Sequence, residues 1–431
     1  MESDEIVPSN NNDTLFKSEK KNTISETSVN QKDSVNSLVY DLFIRKEYEE
    51  CLNIINKLSK EQDSSEMESE FALHIRALIQ RHRGEINESS ELLKKCFSYN
   101  GSNTYVMKEI GKNVVLTGNF RRGIEIFDEI INFDNQDWDA LNEKGICYME
   151  LKDFDSASAC FNSALEISRN EKSLTLLAKL AVLQEDYGRA IESLQEATNF
   201  SPDDPELLSQ IGGLYLKVGN TEDAYENFCK AMRNDSSFSN ALMGVASIHQ
   251  DKFEYEQALI SYKLASVSDP NSPLVWNNLG LCFFAKQKYI AAVTCLKKAN
   301  YLDPFEWIIS FNLGLVYLQQ KQYASAFNYM NCAANLRSDF YLIYFFLGII
   351  LAKLGDIQNA IPFYEKSLEL NQNYLTYYNY TVSLLQNDMI ENAKEKFKKF
   401  YSLYQLNRDA NLEYDPDIIE AIAVLQKSLF G

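Results

Sequence analysis

Proline and glycine are scarce, at 8 and 16 in 431 residues. Few positions therefore break a helix or supply tight strand-type turns, and the composition points to helix throughout. Histidine is scarcer still, at three (His74, His82 and His249), and the eight cysteines contain no C-x-x-C pair. A structural zinc site draws four Cys or His ligands from such pairs, so none is expected. Cys147 and Cys160 stand at the same places in their segment as Cys282 and Cys295 in theirs, which is how small core residues behave. They read as structural thiols of a reducing compartment. Positive charge is also short: 42 Lys and Arg face 61 Asp and Glu, a formal net charge of −19. Nucleic-acid binding leaves a basic footprint, and no nucleic acid or anionic bilayer is expected as a partner. The one basic run, Lys394, Lys396, Lys398 and Lys399, reads as a solvated helix face. Long apolar runs are missing too. The longest, residues 340–352, falls short of the ~20 residues a bilayer span needs and reads as a buried helix. The polar, acidic N-terminal segment has no apolar core of the kind a signal peptide requires.

Catalytic signatures are equally absent. The chain holds no Gly-rich phosphate loop, no G-x-S-x-G, no H-E-x-x-H and no kinase set. Acidic pairs such as Asp203/Asp204 and Glu254/Glu256 fall in turns or on polar faces. No catalytic, cofactor-binding or metal-ligating residue is assigned, and the protein is expected to be non-enzymatic. Arrays of this sort that precede a glycosyltransferase need a large region after the repeats, for which this chain has no room.

What is present is a period. Ala77, Gly111, Gly145, Ala178, Gly212, Ala246, Gly280, Gly314, Gly348 and Thr381 stand 33 or 34 residues apart. A second small residue follows each after twelve positions: Ser89, Gly123, Ala157, Ala190, Ala224, Ala258, Ala292, Ala326, Ala360 and Ala393. Small residues at this period suit paired helices whose backbones approach closely. The best-preserved unit, residues 273–306, places Trp276, Leu279, Gly280 and Phe283 on one helix face and Tyr289, Ala292, Leu296 and Ala299 on another, with Pro304 beyond. This is similar to the tetratricopeptide pattern W-x2-L-G-x2-Y…A-x3-F…P. The expected fold class is all-α: a right-handed superhelical tetratricopeptide solenoid of about 10–11 helix-turn-helix repeats with a C-terminal cap helix.

The expected organisation has three parts. Residues 1–31 form a disordered polar segment. Residues 32–407 form the solenoid, with units at about 32–65, 70–103, 104–137, 138–170, 171–204, 205–238, 239–272, 273–306, 307–340, 341–373 and 374–407. Residues 408–431 hold the capping helix, opened by Asp415-Pro416. Asp204-Pro205 and Ser272-Pro273 read as helix starts. Pro362 conflicts with the register, since it falls inside an expected helix and predicts a kink.

Tetratricopeptide resemblance implies an inner face lined by the second, fifth, ninth, twelfth and thirteenth residues of each first helix. In unit 239–272 these are Asn240, Met243, Ser247, Gln250 and Asp251, a polar wall. From 274 to 385 the face turns apolar, with candidate partner-binding residues Asn277, Leu281, Phe284, Phe311, Leu315, Leu318, Phe345, Ile349 and Tyr378. Such an apolar strip marks an interface, and a peptide or helix of another protein is the expected occupant; the alternative is that these side chains fill a tightly wound superhelix and touch only one another. A clamp for C-terminal carboxylates is incomplete: Lys108 and Lys172 suit it, but Lys112, Glu143 and Leu176 occupy its Asn, Asn and Arg places.

One stretch is more specific than repeat consensus. CFFAKQKYIAA (282–292), LKKANYLDPFEW (296–307) and QQKQYASAF (319–327) closely resemble the Bardet–Biedl syndrome 4 protein family. FIRKEYEEC (43–51) and NQDWDALNEKGICYMELKDF (135–154) extend the likeness over about 38–425. The resemblance implies a scaffold or adaptor subunit of the BBSome, a coat-like complex that moves membrane proteins into and out of cilia. It implies other BBSome subunits as partners, including a small one that threads through the groove. Pericentriolar and centriolar satellite proteins are further implied partners. Membrane association would be indirect, through the complex and an Arf-like GTPase. The implied location is cytoplasmic, at the cilium, its base and centriolar satellites. A scaffold of another assembly, such as a cell-cycle ubiquitin ligase, is the alternative.

Overall fold

The computed structural model describes residues 35–61, 69–101, 103–409 and 416–430. The segment 1–31, residues 65–68 of the polar insert, and Asp415 lie outside the described residues. Among those described the fold is all-α, without a strand. The chain divides into two compact units at 200/201.

The first unit runs α1 (35–44), α2 (Tyr48–Glu61), α3 (Glu70–His82), α4 (Ile86–Tyr99), α5 (Thr104–Leu116), α6 (Phe120–Phe133), α7 (Trp138–Glu150), α8 (Phe154–Ile167), α9 (Glu171–Leu183) and α10 (Tyr187–Ala197). The second runs α11 (Pro205–Val218), α12 (Thr221–Asn234), α13 (Ser239–Asp251), α14 (Tyr255–Ser268), α15 (Pro273–Ala285), α16 (Tyr289–Leu302), α17 (Trp307–Gln319), α18 (Tyr323–Leu336), α19 (Tyr341–Lys353), α20 (Ile357–Leu370), α21 (Tyr374–Gln386), α22 (Ile390–Asp409) and α23 (Pro416–Phe430). Within each unit, a first helix packs against its own second helix, and that second helix against the next first helix.

The small residues sit where the helices of a hairpin approach. The large residue that each one admits lies sixteen positions later. A Cβ on Gly111 would stand 2.8 Å from the Phe127 ring, one on Gly280 2.7 Å from Leu296, one on Gly314 2.8 Å from Met330, and one on Gly348 2.8 Å from Tyr364. Phe127, Phe161, Tyr262 and Tyr364 are among the largest fully buried side chains, each contributing on the order of 2–3 kcal/mol of hydrophobic burial. The second small series brings the helices together from the other side: Ser89 Oγ donates to the Ala77 carbonyl at 2.7 Å.

The turn inside each hairpin imposes a second rule. One residue per turn takes a left-handed conformation: Lys46, Gly84, Gly118, Lys152, Glu185, Gly219, Phe253, Gln287, Lys321, Gly355 and Asp388. Glycine adopts it without steric cost, and other residues pay about 1–2 kcal/mol.

Helix starts follow the capping chemistry of Asp and Asn. Asn103, Asp137, Asn170, Asp204 and Asn373 accept hydrogen bonds from backbone N–H groups at the starts of α5, α7, α9, α11 and α21. Ser272 precedes Pro273 without a side-chain cap. Pro362 lies inside α20, which is assigned as one unbroken 14-residue helix. At the far end of the second unit, Ile422, Leu425 and Leu429 of α23 join one apolar cluster with Phe397, Phe400 and Tyr404 of α22. Residues 341–352 of the apolar run fall in α19, with Phe340 just before its start, and Ile343, Leu347 and Ile350 are fully buried.

Candidate functional site

The candidate residues occupy the first helices α15, α17, α19 and α21 of the second unit, whose apolar positions outnumber what one buried face requires. The surplus makes a second face. Leu274, Ile308 and Leu375, at the second position of α15, α17 and α21, are exposed. Leu281, Phe284, Phe311, Leu315, Leu318, Phe345, Ile349 and Tyr378 are half-buried, leaving part of each side chain for a further contact.

The structure gathers six of the half-buried residues into two groups and places Leu281 in neither. Phe284, Phe311, Leu315 and Leu318 pack against the cluster that contains Leu313, Val316 and Leu347. Ile349 and Tyr378 pack against the cluster around Tyr364, Tyr380 and Phe400, with Tyr378 and Phe400 centroids 5.5 Å apart. Phe311 is the aromatic junction: its centroid lies 6.2 Å from Trp307, 6.0 Å from Phe340 and 5.8 Å from Phe346. Phe345 joins through Phe346 at 5.0 Å. Trp307 and Phe340 were not among the candidates; the Arg337 guanidinium lies 4.7 Å from the centre of the Trp307 ring. Tryptophan at the first position of a helix is the signal that could have pointed to them.

Asn277 differs from its expected role. It is 6% exposed. Its Oδ1 accepts from Asn312 Nδ2 at 2.9 Å and its Nδ2 donates to Asn278 Oδ1 at 3.1 Å. A buried amide is driven to find partners, and Asn277 finds them within the protein, tying α15 to α17. The first unit uses a similar tie, Asn142 Nδ2 to Ser173 Oγ at 2.8 Å between α7 and α9. In the polar wall, Gln250 Oε1 accepts from Tyr262 Oη at 3.3 Å and Cys282 Sγ at 3.2 Å, and burial pushes the Cys282 thiol up to about 11. Burial likewise raises the Cys147 thiol, to about 12.

The lysines of the incomplete carboxylate clamp are engaged by the chain's own acids. Lys108 Nζ lies 3.1 Å from Asp137 and 3.6 Å from Asp139. Lys172 Nζ lies 2.6 Å from Asp139 and 3.0 Å from Glu143. Burial acts to raise Asp139, but the hydrogen bond and charge of Lys172 prevail and hold its carboxyl below the usual range. Leu176 is buried. Three of the four lysines of the basic run are partnered as well: Lys394 with Glu391, Lys396 with Glu365, and Lys399 with Glu395. Among the described residues, no group of three His, Cys, Asp or Glu is placed to hold a metal, and no helix is long and apolar enough to cross a membrane.

Family models described as "Tetratricopeptide repeat" match residues 138–171, 341–374 and 274–306. Over 396 residues the chain is 33% identical to a Bos taurus protein named BBSome complex member BBS4, covering 91% of this chain and 76% of that one. The Mus musculus protein of the same name is 34% identical over the same coverage. The chain belongs to the BBS4 family. A solved structure titled "Functional Characterization of Pseudomonas Aeruginosa pilF" is 26% identical, covering 47% of this chain and 92% of that one at a TM-score of 0.43. The BBS4-family likeness takes in both compact units and every candidate helix.

Proposed function

We propose that the chain is a non-enzymatic scaffold subunit of a BBSome-type complex that holds a partner segment along its first-helix face between 274 and 385. The observation that carries this reading is the 33–34% identity over 91% of the chain to proteins named as members of that complex. The half-buried aromatic floor around Phe311, together with the exposed Leu274 and Ile308 at the second positions of α15 and α17, supplies the apolar surface a partner segment needs. The finer parts of the proposal follow from the family: work in ciliary membrane-protein trafficking, other BBSome subunits as partners with a small one in the groove, and recruitment through an Arf-like GTPase. A location in the cytoplasm, at the ciliary base and at centriolar satellites belongs with them.

Co-purification of the tagged chain from ciliated cells tests the scaffold reading. Recovery with the other subunits is the expected result; recovery only as a free chain overturns it. Phe311→Asp with Phe345→Asp is expected to abolish capture of the groove partner while the helical circular dichroism persists. Leu274→Asp with Ile308→Asp, at exposed positions, provides a version that spares the core. Full capture by both pairs would sink the groove assignment.

A further inference from the structure

A second surface lies on the second helices, away from the candidate face. Ile290, Thr294, Lys297 and Tyr301 of α16 recur at i, i+4, i+7 and i+11, one stripe of the helix. Ile290 is 84% exposed and Tyr301 85%. Phe305, four residues beyond Tyr301, is 80% exposed and is held in its turn by its own N–H, which donates to Asp303 Oδ1 at 3.1 Å.

The preceding repeat continues the pattern. Ile260, Leu264 and Val267 of α14 form an exposed apolar stripe, Val267 at 80%. They stand one 34-residue period before Thr294, Lys298 and Tyr301. The same register on the neighbouring second helices carries no large apolar residue: Glu226, Lys230 and Arg233 on α12, and Asn328, Cys332 and Asn335 on α18. Water faces those helices at no cost. On α14 the same places expose three large apolar side chains, and on α16 Tyr301 repeats Val267 while Ile290 adds a second exposed apolar side chain, an apolar patch of the kind that marks an interaction surface.

Charge identifies the occupant. In a chain of net charge −19, residues 273–302 hold four lysines, Lys286, Lys288, Lys297 and Lys298, and no acid. Lys286 pairs with Glu256. Lys288, Lys297 and Lys298 have no carboxylate partner among the described residues; Lys297 instead hydrogen-bonds the Tyr317 hydroxyl, and Lys298 sits 3.7 Å over the Trp276 ring. Three lysines without a carboxylate partner fall short of the cluster of about 4–8 that anionic lipid recognition uses, and the net negative charge opposes such a surface. They suit a few carboxylates at the edge of an apolar contact, where complementary charge steers a protein partner.

We propose that the outer surface of α14 and α16 docks an acidic segment of a partner protein, whose apolar side chains cover Val267, Tyr301 and Phe305 while its carboxylates meet Lys297 and Lys298. The site is independent of the first-helix face, so one chain could hold two partners at once.

The test is zero-length carbodiimide crosslinking, which joins a lysine to a contacting carboxylate, on the complex purified with the full chain. The expected result is a crosslink from Lys297 or Lys298 to Asp or Glu of another subunit. Lys297→Glu with Lys298→Glu, and separately Tyr301→Ser with Phe305→Ser, are each expected to weaken retention of that subunit about tenfold, equivalent to ~1.4 kcal/mol. These positions are exposed, so unchanged circular dichroism is expected to accompany the loss. The proposal is overturned if the lysines join no carboxylate of another chain, or if both double variants retain every subunit. Flotation of the complex with phosphatidylserine vesicles, lost in the lysine variant without any such crosslink, overturns it in favour of a lipid surface.

Discussion

The Phe228 ring stands directly over Gly244: a Cβ there would lie 2.5 Å from both Cε1 and Cε2. The same ring faces Gly212, where a Cβ would lie 2.9 Å from Cε1. One aromatic side chain of α12 thus locks to its own first helix and to the next repeat. Gly244→Ala is expected to destabilise the protein by about 1–3 kcal/mol, because the ring must move within a packed core. Thermal unfolding followed by circular dichroism reads this as a lowered Tm. Adding Phe228→Leu to the alanine variant is expected to restore part of the loss; no recovery would mean that the ring is not what the methyl meets.

The two halves of this lock were unequally legible. The small-residue series is visible in the sequence because Gly and Ala stand out at a fixed period, and it points to close helix approach. Its partner series is not visible, because the position sixteen residues on accepts Phe, Leu, Met or Tyr, any residue large and apolar enough to fill the space. Asn277 shows a different limit. Register placed it on the candidate face, but only the Asn312 side chain across the repeat boundary reveals that its amide is already used. The outer stripe of α14 and α16 was missed for a third reason: apolar residues inside a helix read as core until burial assigns them a side.

The left-handed turn residues were also hidden, since only four of the eleven are glycine. Phe253 has φ +60° and is exposed, so its ring returns little packing for the strain. Phe253→Gly is expected to stabilise the protein by about 0.5–1 kcal/mol, the relief of left-handed strain exceeding the extra entropy of glycine. Lys152→Gly tests the same effect in the first unit. Urea denaturation with an increased midpoint for both checks it; a decrease confined to Phe253→Gly would assign the ring a structural contact instead.

The Asn277–Asn312 bond across α15 and α17 predicts strong non-additivity. Asn312→Ala leaves the buried Asn277 Oδ1 without its donor, a cost of about 1–3 kcal/mol. Asn277→Ala strands the buried Asn312 amide in the same way. The double variant removes both groups, so its loss is expected to be smaller than the two single losses combined. A double-mutant cycle by equilibrium unfolding measures the difference, and simple additivity would show that the bond contributes no coupling.

Acid sensitivity is expected to centre on Glu109, which is buried between Arg81 at 2.6 Å and Lys112 at 3.0 Å. Burial acts to raise its carboxyl, but the charges and hydrogen bonds of Arg81 and Lys112 prevail and hold it below the ordinary value. With the native pKa depressed, the unfolded chain binds the proton more readily. The stabilisation is therefore full above the unfolded value of about 4.3 and is lost as pH falls through the native one. His74 adds an earlier limb. Burial lowers its pKa, and its ring packs edge-on to Tyr105 at 5.1 Å with Nε2 unpartnered. Stability then begins to fall below the unfolded histidine value of about 6.5, where the unfolded state takes up a proton that the native ring resists. His74→Phe is expected to flatten the limb below about 6.5, and Glu109→Gln the one below about 4.3. Unfolding midpoints across this pH range check both, and parallel curves for wild type and the two variants would place the sensitivity elsewhere.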